Sequence, residues 1–169
     1  MYGSTFPRRM LFMMLLAITT SISLSAAEAR EGLYLGAGMV LADMGGAVNA
    51  QSTIYSGDGI GLTAGFGVNK YLAVEANAWS TEHDVTGGGQ IDLKAAQIGM
   101  KATLPFPDDH VEPYLAIGAG KYVLAEKRGE GWWYGMGIDI GLTRAFSLTI
   151  GFTQHMFDLG ADPRESAEA

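Results

Sequence analysis

The sequence predicts an all-β fold, an antiparallel up-and-down transmembrane β-barrel, and three observations lead there. The first is a strict period of two. In WWYGMGIDIGLT, residues 132–143, Trp132, Tyr134, Met136, Ile138, Ile140 and Leu142 fall on one side. Trp133, Gly135, Gly137, Asp139, Gly141 and Thr143 fall on the other. Ile60–Val68 and Phe146–His155 repeat this alternation, which suits a strand and not a helix, because i, i+3, i+4 spacing would mix the two sets. The second is the chemistry of the non-apolar face, where Gly, Thr, Ser and Asn dominate and charges are few. A soluble surface carries charge at roughly 25–35% of its positions, so this face suits a narrow lumen, with the apolar face turned to lipid. A soluble ligand-binding barrel or sandwich, filled by large apolar side chains, is the competing architecture. The third is an N-terminal stretch that reads as an export signal.

That stretch comes first along the chain. Arg8 and Arg9 form a basic start, Met10–Ile18 an apolar run, and Thr19–Ala29 a run of small residues ending in Ala27-Glu28-Ala29. The layout is that of a secretory signal peptide with an A-x-A cleavage site, and the run is too short for a spanning helix. The expected domains are therefore residues 1–29, a leader, and residues 30–169, an outer-membrane barrel. Seven strands are expected: Gly32–Asp43, Asp58–Asn69, Tyr71–Glu82, Gln90–Leu104, Val111–Ala125, Gly131–Thr143 and Phe146–Phe157. Each reaches the 9–11 residues, approximately, that a tilted strand needs to cross a bilayer. Their connections alternate. Asn69-Lys70, Pro105–His110 and Arg144-Ala145 are short, whereas 44–57, 83–89 and 126–130 are longer and more polar or Gly-rich, as in barrels with short periplasmic turns and longer external loops.

Composition removes several function classes. The net charge is -7, and without Arg8, Arg9 and Glu28 it is about -8, a poor basis for binding nucleic acid. There is no cysteine, hence no disulfide and no thiolate metal site. Three scattered His residues show no paired ligand spacing, so neither a metal nor a cofactor is expected. Gly118-Ala119-Gly120-Lys121 fails as a phosphate loop, with Leu115 where the first Gly belongs and Tyr122 where Ser or Thr belongs. Gly, at 24 of 169 residues, is about twice its usual ~7% share, and it is spread through the apolar runs instead of gathered in linkers.

At VNKYLAVE (Val68–Glu75) and KATLP (Lys101–Pro105) the chain resembles the transmembrane domain of the OmpA family and related small outer-membrane barrels. GLYLGAGM is similar to that family's opening strand, and GIDIGLT followed by FSLTIGF to its sixth and seventh. The resemblance implies an eight-stranded barrel, assembled by the barrel-assembly machinery and partnered by outer-membrane lipid. It does not carry a peptidoglycan-binding role. It further implies a charge network in the lumen. By their own alternation Glu75, Lys101 and Asp139 share the lumen face, Asp139 where the family commonly has Glu. A further Arg of the family's network is replaced here by Thr149, which leaves one acid short of a partner, and His155 is a candidate to fill the gap. Buried charges are costly unless paired.

Trp79, Trp132, Trp133 and Tyr134 lie near strand ends and are expected in the aromatic girdle at the membrane interface. A carbohydrate platform is the alternative. The expected function is structural, a contribution to envelope integrity with exposed surface loops. The rival from the transport class is a narrow channel for ions or small solutes. A lipid A-modifying enzyme ranks lower, because nucleophilic catalysis needs a Ser beside its base and Gln154, Met156 and Phe157 flank His155. No enzymatic activity is therefore expected. Seven strands would leave an open edge in lipid, and LGADPRESAEA, residues 159–169, reads as a truncation before an eighth strand.

Overall fold

The period-two runs form strands in the computed structural model, which describes residues 12–25, 31–44, 47–49, 52–104, 111–143 and 145–159. They are β1 (Phe12–Ser25), β2 (Gly32–Met44), β3 (Ala47–Asn49), β4 (Ser52–Asn69), β5 (Leu72–Val85), β6 (Gln90–Thr103), β7 (Val111–Leu124), β8 (Lys127–Gly141) and β9 (Phe146–Leu159). Eight of them pair in a ring, β2-β1-β9-β8-β7-β6-β5-β4, which the β2–β4 ladder closes. The three-residue β3 only adds to the start of β4. Closure gives each barrel strand a partner on both sides, the condition for a sheet to survive in hydrocarbon.

Seven barrel strands fall where the alternation predicts. The eighth corrects the expected count, because β1 is built from residues assigned to the leader. Its physical basis lies in Ile18-Thr19-Thr20-Ser21-Ile22-Ser23, which is rich in β-branched residues. The segment also alternates, with Ile18 and Ile22 exposed and Ala17 and Ser23 buried. β2 therefore pairs with Phe12–Ser25, and Ala161–Ala169, the segment of the supposed truncation, lies outside the described residues.

The outer wall is apolar. Leu35, Ile60, Leu62, Ile98, Ile117 and Met136 are among many large apolar side chains that face outward, far more than a soluble domain leaves uncovered. A strand of 14 residues spans about 35 Å of barrel height at ~3.3 Å per residue and ~40° tilt, more than the apolar band of about 25 Å. The strands consequently run on past it. At what is here called the upper end, where β2–β4, β5–β6 and β7–β8 connect, the exposed pairs Lys121–Glu130 (3.7 Å) and Lys94–Asp92 (3.4 Å) mark polar outer positions.

This overrun also corrects the expected loops. Residues 127–130 are strand, and β7 joins β8 through Ala125-Glu126, with Ala125 left-handed at φ 54°. β5 joins β6 through 86–89, where Gly87, Gly88 and Gly89 all have positive φ. At the lower end the Asn69 side-chain oxygen accepts hydrogen bonds from the Tyr71 and Leu72 amides (2.8 and 3.0 Å). Thr143 Oγ1 does the same for Ala145 and Phe146 (3.2 and 3.0 Å). Loop length therefore does not distinguish the two ends as the sequence suggests.

Candidate functional site in the barrel lumen

The inner face is built in layers, and its glycines explain how. Tyr34 on β2 lies flat across Gly65 of β4, where a Cβ would stand 2.1 Å from Tyr34 Cζ. The ring thereby reaches over a whole strand, and its hydroxyl donates to Glu75 Oε1 on β5 at 2.6 Å. Trp133 of β8 likewise crosses Gly118 and Gly99, and the Tyr114 hydroxyl comes over Gly137 and Gly151. Each aromatic needs bare backbone beside it, so a glycine-rich lumen and large inward rings belong together.

The lower layer holds the charges. Lys101 Nζ lies 2.7 Å from Asp139 Oδ2 and 3.5 Å from Glu75 Oε1, with all three side chains largely buried. The Tyr114 ring packs against the ammonium at 4.2 Å, in the geometry of a cation–π contact. Thr149 Oγ1 donates to Asp139 Oδ1 at 2.7 Å. The three residues expected in the network thus meet, and the expected shortage of a partner is met by hydroxyls: Tyr34 serves Glu75 and Thr149 serves Asp139. Glu112, buried and opposite Asp139 in the β7–β8 ladder, is a further acid of the inner face.

His155 is not part of this layer, which corrects its expected role. Its Nδ1 lies 3.0 Å from both Gln97 Nε2 and the Tyr122 hydroxyl, and its Nε2 lies 3.0 Å from Thr153 Oγ1. It does face the lumen as predicted, buried one layer higher. Between it and the charges lies a cavity of about 90 Å³ lined by hydroxyl, amide and charged groups together with Trp79 and Trp133. Its lining surface is mostly apolar, with Glu75, Asn77, Gln97 and Lys101 offering polar partners for water.

An apolar plug fills the upper lumen. Leu93, Tyr122, Leu124, Ile54, Phe157, Val40 and Met44 are buried there together, and the Tyr122 and Phe157 rings stack at 4.3 Å. Trp79 sets its edge against Tyr122 and His155 (6.4 and 5.5 Å between centroids). His83, fully buried, lies 2.9 Å from Thr81 Oγ1 and 3.0 Å from the Tyr55 carbonyl oxygen.

Of the four residues expected in the girdle, two face outward and two inward. Trp132 and Tyr134 face outward and stack at 5.7 Å, and the Tyr134 hydroxyl donates to Gln154. Trp79 and Trp133 point inward, at 8% and 3% exposure. Their parity decides this: Trp133 alternates with Gly135 and Asp139, Trp79 with Glu75 and Asn77. Position near a strand end is a weaker guide than face. The same parity, applied to Tyr34, Tyr114 and Glu112, would have found the inner-face residues that the sequence reading missed.

A closed antiparallel ring, apolar outside, with paired charges within, defines the class of small transmembrane β-barrels. Residues 12–167 match the family described as outer membrane protein beta-barrel domain; the chain belongs to that family, and its location is accordingly the outer membrane. Among solved structures, the outer membrane protein OprG from Pseudomonas aeruginosa is similar at 11% identity and a TM-score of 0.47, over 85% of this chain and 93% of that one. A search of curated proteins finds no match.

Proposed function

We propose that this protein is a structural barrel that contributes to envelope integrity, without enzymatic activity and without an open pore. The observation that carries this reading is the two-layer filling of the lumen. The charge layer occupies one half, and above it Leu93 and Tyr122, both at 0% exposure, and Phe157, at 2%, fill the other. Eight-stranded barrels have interiors that side chains can fill, and here Glu75, Lys101 and Asp139 are paired with one another and with the Tyr34 and Thr149 hydroxyls, although the buried Trp133 Nε1 has no hydrogen-bond partner among the described residues. His155 is held by an amide, a phenol and a threonine hydroxyl, an arrangement that suits packing better than general-base work. The apolar outer wall supports outer-membrane lipid as the main partner, and the closed-barrel architecture is what supports the assembly machinery as a partner in biogenesis. The test is planar-bilayer recording of the purified chain beside a deletion strain. Absent conductance, with a detergent-sensitive deletion strain whose resistance is restored by the wild-type gene, is the expected result.

The narrow-channel reading is favoured by one observation, the cavity between the charge layer and His155, which Glu75, Lys101, Asn77 and Gln97 help to line. Stepwise conductance that changes on Lys101→Ala would establish it and overturn the closed-barrel reading.

A further inference from the structure

Resting on the barrel reading above, we infer that Phe12–Ser25, a segment with the composition of an export signal, is retained as the strand that closes the barrel. β1 pairs on both sides without interruption: Leu15–Ser25 run against β2, and Phe12–Leu24 run against β9. Removing it would expose two long ladders of backbone amides and carbonyls to lipid, a state that bilayers do not tolerate.

The seam is also fitted to this segment. Inward positions Ala17, Thr19, Ser21 and Ser23 are small. Gly36 and Gly38 of β2 come so close that added Cβ atoms would stand 2.7 Å from Ser23 Oγ and 2.0 Å from the Thr20 carbonyl oxygen. Thr153 Oγ1 on β9 donates to the Ala17 carbonyl oxygen at 3.3 Å. Ile18 and Ile22 continue the lipid-facing band. Apolar, β-branched residues can serve first in export and afterwards in the sheet, whereas cleavage after Ala29 would discard the strand.

The experiment uses the full chain, which has no native cysteine, in an outer-membrane fraction. Three cysteine pairs at outward, directly opposed positions are compared: Ile18→Cys with Phe152→Cys across β1–β9, Ile22→Cys with Ala37→Cys across β1–β2, and Ala76→Cys with Ile98→Cys across β5–β6 as a fold control. Facing strand positions lie within disulfide reach. Disulfides in all three, and an intact mass of the heat-modifiable band that includes residues 12–25, are expected. A folded band beginning at Arg30, or a control disulfide without either β1 disulfide, overturns the inference and leaves the barrel standing. Loss of the control disulfide as well overturns the barrel reading, and the closing strand with it.

Discussion

Lys101 bridges Glu75 and Asp139, and among the described residues its removal takes away the cation that both carboxylates contact. Breaking a buried pair in this way costs about 3–5 kcal/mol, so Lys101→Met is expected to lower the urea midpoint of the folded, heat-modifiable band sharply. The two hydroxyls that complete the network can be tested without disturbing its packing. Tyr34→Phe removes the donor to Glu75, and Thr149→Val the donor to Asp139. Hydrogen bonds to charged groups contribute roughly 1.5–3 kcal/mol, and each variant is expected to lose about that much in the same titration. If the losses in the double variant simply add, the two acids act independently; a departure from additivity in either direction marks one coupled network. The sequence showed Glu75, Lys101 and Asp139 on one face because parity needs no structure. It could not show which hydroxyls reach them, since Tyr34 crosses an intervening strand to do so.

Strands carry their information in faces, and the neighbouring tryptophans of β8 make the contrast. Trp133 is buried against Gly99 and Gly118, whereas Trp132 faces lipid. Truncating a buried Trp to Ala costs about 3–5 kcal/mol. Trp133→Ala is expected to lose that much in urea unfolding, and Trp132→Ala well under half of it. Equal losses would mean that the assigned faces are wrong. Strand identity was the most legible feature of the sequence: the predicted Gly32–Asp43 and Val111–Ala125 differ from β2 and β7 by one residue at one end. Strand β1 was legible as an apolar segment but not as a strand, because basic residues, an apolar run and small residues fit a leader equally well. Upper strand ends were missed for another reason. Beyond the lipid band the outer face becomes polar, the alternation fades, and Lys127–Glu130 look like loop in sequence while remaining paired in the ladder.

At the scale of the whole molecule, two packed layers of different chemistry stand in series along the lumen, a charge layer and an apolar cluster. Replacing Tyr122 and Phe157 with Ala removes the stacked rings of the plug but leaves the charge layer in place. Planar-bilayer recordings of that double variant are expected to stay silent, as for the wild type. A conducting double variant would show that the plug alone closes the lumen.

The hydrogen bond from Thr153 to Ala17 joins residues 136 positions apart, while the other ladders of the ring connect strands that follow one another closely in the chain. Hairpins can therefore form locally and early, whereas the β1–β9 seam must bear the loop-closure entropy of nearly the entire domain. On topology alone, closure of this long-range ladder is expected to be the last step of assembly. Until it occurs, β9 is an open template, so aggregation and productive insertion compete for the same row of backbone groups.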